Sequence, residues 1–290
     1  MKSLERIEDQ IPNATRTNNS FARHRLSFLI FSLGLVAWPA HITSPTSRSG
    51  TSIIAIKTKD RVLLVADSRI QDAVGLTING YESACKIYQY GSIFAAFAGL
   101  EHAAGGFDPS GDVRRVAREG GSARQVADRF VQYEKGQLIE LATRLKAKGD
   151  PALARPEFQG TRSILEAVFV GKEGGKLALY FAGFLLHPGR NGFTVETNVP
   201  GESCSGECLL PLGHRKEIQA YRATHPDPPM KDLKYALSLI QIEVKGAPED
   251  VAPPFAALEI QEGHAPHWVA GYQGECPAIK AASAPVPPPS

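Results

Sequence analysis

Two kinds of apolar periodicity alternate along the chain. From Ser52 the residues run SIIAIKT (52–58), RVLLVADS (61–68), KIYQY (86–90) and SIFAAFAG (92–99), short β-branched and alanine-rich stretches of strand character. Lys59-Asp60 separates the first two and Gly91 the second two, so each pair predicts a tight antiparallel hairpin. Residues 122–148 follow a helical period instead. Val126, Phe130, Tyr133, Leu138, Leu141 and Leu145 fall on one face behind Ser122, an N-cap residue. Strand patterns return near 163–170 and 176–186, a second helix is predicted near 230–245, and strands close the pattern near 255–261 and 267–272. Strands that are apolar on nearly every residue, rather than on every second one, belong to sheets covered on both faces. The order sheet, helix, sheet, helix, sheet therefore predicts an α+β fold, a four-layer α/β/β/α sandwich of two antiparallel sheets.

The residues before Ser52 have a different texture. Residues 1–25 are polar and end in Arg23-His24-Arg25, after which Leu26 to Trp38 form an uncharged apolar run of about 13 residues. That is the length of a signal-peptide core and too short to span a bilayer. The expectation is export by the segment 23–40, to a secreted or periplasmic location, although Trp38-Pro39-Ala40 puts a bulky residue where signal cleavage prefers a small one. A cytoplasmic protein, with this run buried in a pro-region, is the alternative. Residues 39–50 (PAHITSPTSRSG) have the composition of an exposed, cleavable linker, and the last residues (AASAPVPPPS) that of a disordered tail. The domain boundaries expected are a signal and pro-segment over 1–50, a globular domain over 51–275 and a Pro/Ala-rich tail over 276–290.

Composition narrows the partners. A chain of 290 residues with 43% apolar content can build a large core, and 32 basic against 30 acidic residues leave a charge of +2 with no dense basic run. Nucleic acid is not an expected partner. Cysteines stand at 85, 204, 208 and 276. Cys204 and Cys208 lie near His187 and His214, but the spacing has no paired second half, so neither a metal nor another cofactor is expected. Export would favour at least one disulfide, involving Cys204 or Cys208; pairing of either with Cys276 would restrain the most chain, and Cys85 reads as a small buried strand residue. The partner choice stays open at this level.

The chemistry concentrates at the start of the globular domain. If Lys59-Asp60 is a two-residue turn, pairing across the hairpin sets Asp67 opposite Ser52 and beside Thr51. A threonine hydroxyl is a poor nucleophile without a neighbouring base. A free N-terminal amine, with a pKa of about 8, can serve once the threonine is the first residue of a mature chain. Cleavage at Gly50-Thr51 would create that base. Lys86, entering the third strand, is placed to polarise the hydroxyl, with Asp67 orienting the lysine.

With these residues in view, GTSIIAIKTKDRVLLVADSR, then CKIYQY, then FAAFAGL, over about fifty residues, resemble the opening of catalytic proteasome β subunits and their bacterial relatives. The resemblance implies autocatalytic cleavage after Gly50, Thr51 as nucleophile, Asp67 and Lys86 as its assistants, and the Gly99 backbone N–H as an oxyanion donor. It also implies the N-terminal nucleophile hydrolase sandwich, peptide or unfolded-protein substrates, and assembly with itself or related subunits into a ring. The family's aspartate ahead of a Ser-Gly-Gly stretch has its counterpart in Asp250, an outer member of the site, but Pro253-Pro254 replaces the small residues. A Gly-Ser-Gly-Ser segment has only loose counterparts in Ser203 and Ser205. Two other readings remain at this level, a non-catalytic assembly protein of the same fold and a stand-alone amidase or acylase using the same nucleophile.

Overall fold

The computed structural model describes residues 46–49, 51–74, 77–103, 106–198, 206–228 and 232–280, all within one compact unit spanning Thr43–Ser290. The signal-like segment 23–40, Gly50, Cys204, Ser203, Ser205 and residues 281–290 lie outside the described residues. Strands β1 (Thr46–Ser49), β2 (Ser52–Lys57), β3 (Arg61–Asp67), β4 (Arg69–Val74), β5 (Thr77–Ser83), β6 (Ile87–Tyr90), β7 (Ile93–Gly99) and β8 (His102–Ala103) precede two helices, α1 (Pro109–Arg118) and α2 (Ala123–Ala147). Then come β9 (Leu165–Glu173), β10 (Lys176–Gly189), β11 (Gly192–Asn198), β12 (Cys208–Gly213), α3 (Lys216–Thr224), α4 (Leu233–Gly246), β13 (Phe255–Gln261) and β14 (His267–Trp268).

Among the described residues the chain is a mixed α+β protein with three antiparallel sheets, not the two expected. The five-stranded sheets have the orders β12-β2-β3-β13-β14 and β11-β10-β9-β7-β6, and a four-stranded sheet has the order β5-β4-β1-β8. The third sheet escaped the pattern because RIQDAV and TINGYES are largely polar; such strands are held by backbone pairing and carry no apolar period. Its strand β1 also occupies part of what the sequence presents as a linker.

Three apolar clusters explain the packing order. One joins Val126, Phe130, Leu138 and Leu141 of α2 to Phe97, Phe169 and Phe184 on the outer face of the β11-to-β6 sheet. A second lies between the two five-stranded sheets, where Ile53, Leu64 and Leu258 meet Phe94, Val168 and Leu179. A third joins Ile54, Ile56 and Val65 to Ile218 of α3 and Leu239 and Ile240 of α4. Both faces of β2, β3 and β7 are thus covered, as their unbroken apolar sequence requires. Ser122 caps α2 in a full capping box with Gln125. Glu134 of α2 is fully buried, and the nearest charge acting on it is the Asp112 carboxyl of α1. Burial, then the Asp112 charge, pushes the Glu134 carboxyl up to about 9, so it is protonated at neutral pH.

The β2–β3 register pairs Ile53 with Ala66 and Lys57 with Val62, which leaves Lys59-Asp60 as the turn and brings Asp67 to the start of β2. The cysteines correct one expectation and meet another. Cys208 is disulfide-bonded, but Cys276 pairs with Cys85, not with Cys204 or Cys208. Cys85 sits just before β6 and Cys276 is buried in the cluster between the sheets, so the folded core brings together two residues that sequence spacing cannot match. The first residues of the expected tail are therefore tied down, and the Lys280 backbone N–H further donates to Gln89 Oε1 at 2.8 Å. Because the bridge spans 191 residues, chain entropy in the unfolded state gives it a stabilisation of about 5 kcal/mol. Cys85→Ser is expected to lower the urea midpoint correspondingly under non-reducing conditions, and an unchanged midpoint would contradict this account of its role.

Candidate active site

Thr51 stands at the boundary between two strands that belong to different sheets, β1 before it and β2 after it. It is fully buried, as is Lys86, and Asp67 is 1% exposed. The Lys86 ammonium donates to Thr51 Oγ1 and to the Arg69 carbonyl oxygen. Asp67 Oδ1 lies 3.8 Å from Lys86 Nζ. The carboxylate of Asp67 is fixed by the backbone: Ser52 N–H donates to Oδ1 at 2.8 Å, and the N–H groups of Arg69 and Ala252 donate to Oδ2 at 3.0 and 3.4 Å. Burial pushes the Asp67 carboxyl up, against Lys86 and these three donors, which favour its charged form. Thr51, Asp67 and Lys86 are thus brought together as expected.

A fourth group completes the cluster, and sequence reasoning missed it. Glu101, two residues beyond Gly99, accepts a hydrogen bond from Thr51 Oγ1 at 3.1 Å, and its Oε1 lies 3.6 Å from Lys86 Nζ. Its side chain is 10% exposed. Burial raises its pKa, while Lys86 and the Thr51 hydroxyl lower it and the nearby Asp67 raises it further. One ammonium here faces two carboxyl groups. Nothing in FAAFAGLEH marks Glu101 in advance, because it follows the end of β7 where apolar alternation stops.

Gly99 closes β7 and lines a cleft of about 300 Å³ that also contains Thr51, His214, Arg162, Gln71 and Asp250. Its φ of +100° is a left-handed conformation, and a Cβ there would stand 2.5 Å from the Ile164 carbonyl oxygen. Only glycine fits this bend, which lets the chain leave the sheet and bring Glu101 to Thr51. Gly213 plays a matching part across the cleft. Its φ is +70° and a Cβ would overlap the Thr51 carbonyl oxygen. That close approach allows His214 N–H to donate to Thr51 O at 2.8 Å. Glu166 of β9 pins the same loop by accepting from Gly213 N–H at 2.8 Å and from Arg215 at 2.7 Å.

Asp250 lines the same cleft as Thr51, beside Gln71 and His214. Its Oδ1 accepts from Gln71 Nε2, and its Oδ2 lies 3.5 Å from His214 Nδ1. His214, in LGHR, joins the cleft through the fold, and its one sequence signal is the glycine before it. Burial, then the charge of Arg162, lowers its pKa to about 4, so the ring is neutral at pH 7. The folded value lies below the ordinary 6.5. Stability from His214 is therefore complete above pH 6.5 and lost as pH falls toward 4, by about 2–3 kcal/mol. His214→Asn should flatten this acid limb in urea unfolding at pH 7 and 4.5; an unchanged difference between the two pH values would show that His214 titrates normally.

The arrangement is a buried hydroxyl polarised by an ammonium, hydrogen-bonded to a carboxylate, and opening on a cleft with further polar groups. Chemically it suits nucleophilic attack on an acyl carbon. A scan against protein-family models finds no match to this chain, and a search of curated proteins finds none.

Proposed function

We propose that this chain is a self-processing threonine hydrolase of the proteasome β-subunit type. It cleaves its own Gly50–Thr51 bond and then uses Thr51 to hydrolyse peptide bonds. The observation that carries this reading is the fully buried Lys86 directed at Thr51 Oγ1, with Asp67 behind it. A buried lysine is costly unless it is paired, and here its hydrogen bonds go to a hydroxyl and a backbone carbonyl, with carboxylates on two sides. The packing order of helices, sheet, sheet and helices supports assignment of the N-terminal nucleophile hydrolase sandwich.

The setting of β1 supports the same reading. Thr46–Ser49 runs antiparallel between β4 and β8, pairing Ser47 with Ala73 on one side and with Ala103 on the other. An extended segment thereby leads toward Thr51 from its N-terminal side. Once released, it would leave two strand edges able to take an extended substrate peptide by backbone pairing. The proposal includes assembly with further copies of the chain, which rests on the sequence resemblance, and export, which the disulfides favour.

Intact-mass analysis of purified full-length protein tests the proposal. A mature chain beginning at Thr51, with turnover of model peptides, is the expected result. Wild-type protein that keeps the residues before Thr51 and cleaves no peptide would overturn it in favour of a non-catalytic relative.

A further inference from the structure

In the uncut chain the Thr51 nitrogen belongs to the peptide bond that is to be broken. Its lone pair is delocalised into the amide, so it cannot take the hydroxyl proton. The amine base that a mature threonine enjoys does not exist until the first cleavage is over. Self-cleavage therefore needs a different proton acceptor.

The groups around Oγ1 differ in their capacity to fill that role. Lys86 donates to Oγ1 and so stabilises negative charge there; it is not the acceptor of the hydroxyl proton. The oxygens of Asp67 are directed to the backbone N–H groups of Ser52, Arg69 and Ala252. Glu101 is the carboxylate to which the Thr51 hydroxyl donates, at 3.1 Å, within the reach required of a general base. Resting on the threonine-hydrolase reading above, we infer that Glu101 is the catalytic base of precursor self-cleavage, a step distinct from later peptide turnover. Burial and the neighbouring Asp67 raise the proton affinity of Glu101, which suits a group that must take a proton and give it back.

The step balances as follows. Glu101 takes the Oγ1 proton as oxygen attacks the Gly50 carbonyl carbon, giving a tetrahedral oxyanion. The bond from Gly50 carbon to Thr51 nitrogen then breaks, and the Glu101 proton passes to the departing nitrogen. The product is an ester joining Gly50 to Thr51 Oγ1, with a free Thr51 amine. Water hydrolyses that ester, releasing a chain that ends at the Gly50 carboxylate and restoring the Thr51 hydroxyl. From that point the amine is present as a second base.

The test follows self-cleavage of the full-length chain by intact mass over time, in four proteins: wild type, Glu101→Gln, Thr51→Cys, and the double variant. A general base contributes about 10²–10⁴-fold, so Glu101→Gln should slow cleavage at least about 100-fold in the threonine chain. A cysteine thiol ionises far more readily and depends less on a base. In the Thr51→Cys background the same glutamine substitution should therefore cost less than about tenfold. Equal losses in the two backgrounds would mean that Glu101 only holds the site together, and would overturn the inference. So would a folded Glu101→Gln chain that is processed at the wild-type rate. Uncut wild type would instead remove the hydrolase reading itself, and the two failures are distinguishable from the same mass spectra.

Discussion

Thr51→Ala is expected to leave the chain at its precursor mass and to abolish peptide hydrolysis, a loss of at least about a thousandfold in each. The oxygen removed is the one that Lys86 and Glu101 both address, so no other atom in the cluster inherits its position. Thr51→Ser retains the oxygen and should retain part of both activities. The methyl group is lost, and with it some of the restriction on the χ1 rotamer that keeps Oγ1 pointed at the two side chains. Mass spectrometry of the purified variants and a model-peptide assay read both effects. Normal processing of folded Thr51→Ala protein would place the nucleophile elsewhere.

Lys86→Met should produce the next largest effect, and it acts on two properties at once. Self-cleavage should fall by about three orders of magnitude, since members of one catalytic unit fail together rather than additively. Stability should also fall, by about 3–5 kcal/mol at neutral pH, because Asp67 and Glu101 would remain buried without their cation. The pH dependence identifies the cause. With Lys86 gone, both carboxyls should have folded values raised further above their unfolded ones. Such groups contribute fully below the unfolded value, and their contribution is lost as pH rises through the range above it. The deficit relative to wild type should therefore shrink near pH 4–5 and be largest at pH 8. Urea unfolding at both pH values, with a cleavage time course, checks this. Wild-type cleavage by the Lys86→Met chain would take the lysine out of the mechanism, and a deficit independent of pH would mean that lost packing, not unpaired charge, is responsible.

How far the site can be read in advance depends on how its residues are connected. Asp67 lies opposite Ser52, next to Thr51, because a two-residue turn fixes the β2–β3 register, and a register shift of one would send every apolar residue of both strands to the wrong face. Lys86 follows from the entry to the next strand, and Gly99 from the end of its hairpin partner. All of these are consequences of local pairing and period, and the same is true of α2, whose cap and apolar face are written within its own 25 residues. Helix α1 carries a similar local signature, Asp108 as N-cap and Pro109 at its first position.

Glu101, His214 and Asp250 are of another kind. They stand in loops that leave strands at left-handed glycines or follow a helix, and loops carry no period from which a side chain's direction can be inferred. Gly213-His214 reaches Thr51 because β12 pairs with β2, more than 150 residues away in sequence. The third sheet, made of polar strands held by backbone hydrogen bonds, and the Cys85–Cys276 bridge belong with them. Sequence alone determined the β2–β3 and β6–β7 hairpins, the long helix and the grouping of Thr51 with Lys86 and Asp67, because hydrophobic period and short turns act between near neighbours. Only the tertiary structure decided which distant loops close over that hydroxyl, because their meeting depends on how two sheets stack and on where glycine lets the backbone approach.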